Sequence, residues 1–226
     1  MASTTEIKTT LCRLSYARDL FTARLVDEKK PDGKKKYGCT LIFLKSDTAG
    51  RAALEGLALD AIKAEWGERG VENLKKKIIK TPFFDGDGAE ARYKLGERAG
   101  ELHPGMGSDV WFIRVSANYA DYDEQGKVKK ILKPPRVWWT DKDVQVTEDE
   151  AYSGCYGKAI VNAFTSNHPT GGLRVSFGIL GFQKLKEGER LSTGGAINVG
   201  KWNETITDEG PAPNVGGGGA ASLFGD

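Results

Sequence analysis

Val110-Trp-Phe-Ile-Arg-Val-Ser-Ala-Asn-Tyr119 alternates in character along most of its length. Trp111, Ile113, Val115, Ala117 and Tyr119 fall on one side of an extended chain, and Phe112, Arg114, Ser116 and Asn118 on the other. Successive side chains of a strand point to opposite faces, so this period of two predicts a strand with one face in a core. Leu173–Lys184 repeats the pattern, with Leu173, Val175, Phe177 and Ile179 set against Arg174 and Ser176. Such alternation marks antiparallel sheet with one buried face.

Outward from these two segments, the same reading predicts strands over Thr9–Tyr16, Phe21–Asp27, Tyr37–Leu44, Arg136–Thr140 and Tyr156–Thr165. One helix interrupts them. Ser46 or Asp47 caps Thr48–Trp66, in which Leu54, Ala58, Ile62 and Trp66 recur every four residues and share a face with Leu57 and Ala61. Gly67 and Gly70 end it, and a short second helix is expected around Val71–Ile79. Residues 81–108, rich in Gly, Asp and charge, read as a long loop, and loops of that length are usually functional or mobile. Many strands, one or two inserted helices and long loops predict a mainly β fold, a small closed or partly open antiparallel β-barrel.

The chain has 226 residues, 39% hydrophobic and 28% charged, enough apolar surface for a core and too much for a wholly disordered chain. No stretch approaches the ~18 consecutive apolar residues of a membrane helix. The opening Met-Ala-Ser-Thr-Thr-Glu shows no basic region followed by an apolar one, so no secretory signal is expected. Three cysteines, Cys12, Cys39 and Cys155, stand at wide spacings without a Cys-x-x-Cys, and His103 and His168 each precede proline. A structural zinc site needs four clustered ligands. The cysteines therefore read as small hydrophobes in a reducing cytoplasm, and no metal or other cofactor is expected.

Catalytic and nucleotide motifs are weak. Gly195-Ala-Ile-Asn-Val-Gly-Lys201-Trp202 fits Gly-x4-Gly-Lys, but Trp202 stands where a Ser or Thr must hold magnesium. Asp85-Gly-Asp-Gly88 opens like a calcium loop yet lacks the later ligands, and reads as a tight turn. Asp141, Asp143, Glu148, Asp149 and Glu150 read as a solvated loop rather than a two-metal centre. Nothing positive points to an enzyme.

Charge is more informative by segment. The whole chain carries 33 Lys+Arg and 31 Asp+Glu, a net +2. Residues 201–226 hold Lys201 against Glu204, Asp208, Glu209 and Asp226, a net −3, which leaves +5 for residues 1–200. Lys34-Lys35-Lys36 is one cluster, Lys75, Lys76, Lys77 and Lys80 a second, and Lys127, Lys129, Lys130, Lys133 and Arg136 a third. Tyr119 and Tyr122 precede the third cluster, and Trp138 and Trp139 follow it. Cations that track a backbone, interleaved with rings that stack on bases, are what single-strand binding requires. A generic β-domain with soluble lysine turns, and with at least one of the two tryptophans in its core, explains the same composition equally well.

Several blocks in order break the tie. Tyr37-Gly-Cys-Thr-Leu-Ile-Phe-Leu-Lys-Ser-Asp-Thr48, Phe84-Asp-Gly-Asp-Gly88, His103-Pro-Gly105, Tyr152-Ser-Gly-Cys-Tyr-Gly-Lys-Ala159 and Val175-Ser-Phe-Gly-Ile-Leu-Gly-Phe-Gln-Lys184 resemble a family of tailed-phage single-stranded DNA-binding proteins. The resemblance implies an OB-fold core at residues 1–200. It also implies sequence-independent, non-enzymatic binding and protection of single-stranded DNA in phage replication or recombination, in the cytoplasm of the infected host.

Contact residues follow from pattern. In Tyr152–Phe164, Cys155, Gly157, Ala159, Val161 and Ala163 form a small apolar side, which turns Tyr156 and Lys158 outward. Phe112 and Arg114 make a similar outward pair, and Arg174 supplies another cation. Tyr119, Lys127, Lys129, Lys130, Arg136 and Trp138 complete the expected DNA-binding set. A one-residue change of register would reverse these faces. Residues 201–226 read as a flexible Gly/Pro-rich, weakly acidic tail whose Leu223, Phe224 and Asp226 resemble the partner-docking tip of single-strand binders. Two rival classes stay open: a phage structural or assembly β-protein, and a metal-dependent nuclease using Asp85 and Asp87.

Overall fold

The computed structural model describes residues 5–27, 30, 33–139, 144–168 and 171–191. In chain order the elements are β1 (Glu6–Lys8), β2 (Cys12–Ser15), β3 (Arg24–Leu25), β4 (Lys35–Leu44), α1 (Thr48–Lys75), β5 (Phe83–Asp85), β6 (Val110–Asn118), β7 (Ala120–Tyr122), β8 (Val128–Ile131), β9 (Arg136–Trp139), β10 (Tyr156–His168) and β11 (Gly172–Lys186). Five strands close on themselves. β10 pairs with β2, β2 with β4 and β4 with β6, all antiparallel; β6 pairs with β11 in parallel, and β11 returns antiparallel to β10. This ring is the OB-like barrel. β1, β3, β5 and β9 extend it, and β7–β8 form a separate hairpin.

The alternation sets what lies inside. Trp111, Ile113 and Val115 of β6 meet Leu41 and Phe43 of β4 and Val175, Phe177 and Ile179 of β11 in the main core. Phe43 stacks on Trp111 with ring centroids 4.4 Å apart. Side chains of this size, fully buried, stabilise by roughly 1.5–3 kcal/mol each. Cys12, Cys39 and Cys155 are buried and free, and burial pushes the Cys12 thiol up to about 12, the Cys155 thiol up to about 11 and the Cys39 thiol well above its usual value.

Some elements depart from expectation. α1 starts at Asp47, whose carboxylate accepts from the Gly50 amide at 3.0 Å, and buries Leu54, Leu57, Ala58 and Ile62. It breaks at Gly67 (φ 57°, ψ −149°), as predicted, and the expected second helix follows, but it starts directly after the kink and ends at Lys75 rather than spanning 71–79. The strand predicted over Phe21–Asp27 shrinks to Arg24–Leu25, because Ala17–Leu20 winds into a 3-10 turn. β1, β5, β7 and β8 are too short to show a period and were not predicted. A register shift opposite Ile160/Val161 makes Leu180 an extra residue in β11. Beyond it the parity inverts: Phe182 and Lys184 are buried, Lys184 at 1% exposure, ion-paired to Glu187 at 2.6 Å. Asp85–Gly88 is a turn, with the Gly88 amide on the Asp85 carbonyl at 3.1 Å. A Cβ at Gly86 would sit 2.4 Å from the Gly107 carbonyl oxygen, so only glycine allows that close approach.

Candidate nucleic-acid interface

The outward sides of β4 and β6 pair Lys36 with Asn118, Gly38 with Ser116, Thr40 with Arg114 and Ile42 with Phe112. Residues 86–109 fold over one end of this wall. Ala91 and Val110, with Phe84, Leu102, Met106 and Leu191 beside them, seal Ile42 and Phe112 into a second small core. Phe112 is 1% exposed and stacks on Phe84 at 5.2 Å. Phe112 keeps the outward parity expected of it, but its expected exposure is corrected: the strand is covered on both faces there, and the ring is buried. The uncovered remainder of the wall, floored by Gly38 and Ser116, is a cleft of about 540 Å³.

Rings and cations gather at the cleft. Tyr16 is the non-glycine residue that turns the chain out of β2 in the left-handed region (φ 57°, ψ 41°), a costly geometry that clusters at functional sites. Its hydroxyl meets His103 Nδ1 at 3.0 Å, and the His103 ring lies 3.9 Å from that of Tyr93. Arg24 pairs with Asp19 and reaches over the Tyr16 ring, 5.8 Å from its centroid. Arg114 stands half-exposed over Phe84 and Phe112, held by Glu90 at 3.1 Å and by the Glu90 carbonyl at 2.8 Å. Burial first, then Arg114, holds His103 below the usual histidine value, and burial raises Tyr16 and Asp19. Glu90 is lowered, mainly by its hydrogen bond from Lys94. The result is a neutral imidazole among rings, with guanidinium groups at the rim.

The end of the cleft at Lys36 abuts the β7–β8 hairpin. Tyr119 lies 5.9 Å from Tyr37, with Lys35 Nζ 5.8 Å from its ring, and Lys34 Nζ stands 5.3 Å from Tyr122. Lys127, Lys129 and Lys130 are exposed on this hairpin. Arg114, Tyr119 and these lysines thus share one side of the molecule. Arg136, Trp138, Tyr156 and Lys158 belong to another, on β9 and β10, with Tyr156 and Lys158 facing outward as the alternation predicts. Arg174 stands apart near the β10–β11 turn, opposite Ser166 and bridged to Lys80. Leu223, Phe224 and Asp226, the Gly195–Trp202 motif, Asp141 and Asp143 lie outside the described residues. Sequence reasoning missed Tyr16, Arg24, Tyr93 and His103 as site residues. The available signal was the length of the 81–108 segment and the His103-Pro-Gly105 block within it.

An OB-like ring whose wall carries a concave, basic, ring-lined cleft defines a class, the nucleic-acid-binding β-barrel. The particular family follows from comparison. The profile of the family described as Enterobacter phage Enc34, ssDNA-binding protein, matches residues 5–210, and the chain belongs to that family. The single-stranded DNA-binding protein from bacteriophage Enc34 in complex with ssDNA shares the fold at a TM-score of 0.57 and 17% identity, over 83% of this chain and 89% of that one. Gp2.5, a single-stranded DNA-binding protein encoded by bacteriophage T7, shares it at 0.53 and 13% identity, over 93% and 100%. No curated protein sequence matches significantly. No described helix is long and apolar enough to cross a membrane.

Proposed function

We propose that the chain binds single-stranded DNA without sequence preference along the β4–β6 cleft, protecting it during phage DNA replication or recombination in the host cytoplasm. The observation that carries this reading is the convergence of Tyr16 and His103, with Tyr93 against the His103 ring, and of Arg24, Lys36 and Arg114 on one concave wall. Rings offer π-faces to any base, worth ~1–3 kcal/mol per stacked base, and the cations at the rim and on the hairpin neutralise phosphates. Gly38 and Ser116 keep the floor low enough for a backbone to approach. The role is non-enzymatic, with the segment ending at Leu223, Phe224 and Asp226 serving as a docking tip for replication or recombination proteins.

Labelled single-stranded and duplex DNA of one sequence, each with and without magnesium, test the proposal in gel shifts. A stable shift of the single strand, with the oligomer intact in magnesium, is expected. Absence of a shift at low salt overturns the reading, and magnesium-dependent degradation replaces it with a nuclease.

A further inference from the structure

A second basic and aromatic surface lies on the outer wall of the barrel, away from the cleft. Trp138 of β9, Gln183 of β11 and Lys158 of β10 are register partners across three strands, and Val137 and Phe182 beside them point into the core. The Trp138 ring lies over Gly181, where a Cβ would come within 2.7 Å of it, so the missing side chain gives the indole its seat. Two residues from Lys158, Tyr156 carries Arg13 at 5.7 Å and Lys186 at 4.8 Å from its ring centroid. Lys8 of β1 reaches the same face and donates to Gln183 Oε1 at 2.5 Å. Two partly buried rings and four cations thus share one strip.

The strip is continuous with the cleft. Ser116 on the cleft floor is the register partner of Gly178, and Gly178 that of Asn162, which lies on the same side of β10 as Lys158 and Tyr156. A Cβ at Gly178 would fall 2.2 Å from Asn162 Oδ1, so the step between the two surfaces stays low. We propose that a single strand leaving the cleft crosses Gly178 and continues along β10, its bases meeting Trp138 and Tyr156 and its phosphates meeting Lys158, Lys186 and Lys8. The inference rests on the cleft reading and adds a second binding segment, which only a longer strand fills.

The full chain is titrated with oligo-dT of about 8 nucleotides, within the range one OB fold occupies, and of about 30, beyond it. Tyr156→Ala and, separately, Lys158→Ala leave the short oligomer's affinity unchanged and weaken the long one, by about tenfold for the lost ring. Lys158→Ala also makes the salt slope of the long oligomer shallower by about 0.7. Among the described residues no tryptophan lines the cleft, so the long oligomer quenches tryptophan emission and Trp138→Phe removes that quench. Equal weakening at both lengths, or none at the longer, overturns the proposal. Arg114→Ala tests the cleft separately: if it changes neither length, the cleft reading fails, whatever the β10 variants do. Thermal melting of each variant identifies any that lose the fold, and Lys158→Ala, an outward surface change, still decides the question if Tyr156→Ala is one of them.

Discussion

Arg114 offers the sharpest test of the cleft. Its guanidinium is half-exposed at the rim, and its partners, Glu90 and the Glu90 carbonyl, leave donors free for a phosphate. One phosphate contact on a single strand contributes about 0.7 to the slope of log K against log salt. Arg114→Ala therefore weakens binding of a short oligo-dT by about 8-fold at about 50 mM salt and about 3-fold at about 200 mM, the two curves converging near 1 M. Removing the cation also leaves the Glu90 carboxylate facing the DNA, so Glu90→Gln in the Arg114→Ala background recovers part of the loss, and the double-mutant cycle isolates that repulsion. Fluorescence anisotropy across a salt series measures both quantities. A loss of affinity with an unchanged salt slope would refute the phosphate contact, and no loss at any salt would remove Arg114 from the interface.

Tyr16→Ala weakens oligo-dT binding about tenfold, whereas Tyr16→Phe, which keeps the ring and loses only the hydroxyl contact to His103, stays close to wild type in the same assay. Phe112→Ala lowers stability by about 3–5 kcal/mol in urea unfolding, because the ring fills the small core under residues 86–109; a loss below about 1 kcal/mol would mean that this core is loosely packed. His103 makes stability fall at acid pH. Its folded value lies below the unfolded one, so as pH drops through about 6.5 the unfolded chain takes up the proton first. Above that range neither state binds it and no cost arises. The difference in Tm between wild type and His103→Gln is flat above neutrality and turns against wild type below it, and a difference independent of pH contradicts this assignment.

Much of the fold is written locally. The alternation of Val110–Asn118 and the inward odd positions of Leu173–Ile179 follow from a two-residue period that any reader of the chain can count, and Gly67 marks the break in α1 for its own conformational reasons. Errors begin where the local rule depends on a distant partner. Arg174 to Ser176 keep the expected parity, but the extra residue Leu180 inverts it beyond that point, and the bulge exists only relative to β10. Phe112 occupies an outward position in its own strand and is buried because residues 86–109 return over it.

The candidate site divides in the same way. Clusters such as Lys127–Lys130 and the outward sides of Tyr156 and Lys158 were readable, since density of charge and strand parity are properties of neighbouring residues. That Arg114 belongs with Tyr16, Tyr93 and His103, while Trp138 belongs with Tyr156 and Lys158, was not. The first group is drawn from three segments by the β4–β6 register and the fold of residues 86–109, the second by the parallel pairing of β9 with β11.

By itself, then, the sequence determined the strand periods, the helix and its break, the buried cysteines, the split of charge between residues 1–200 and the last 26, and through its ordered blocks the family. Only the tertiary structure decided the closure of the ring through the β6–β11 pairing, the covering of Phe112, and the sorting of cations and rings onto two faces. Periodicity is an interaction of each residue with its own backbone geometry. Closure, cover and sorting are contacts between separate segments of the chain, the closure joining Val115 to Phe177, and no local pattern encodes their register.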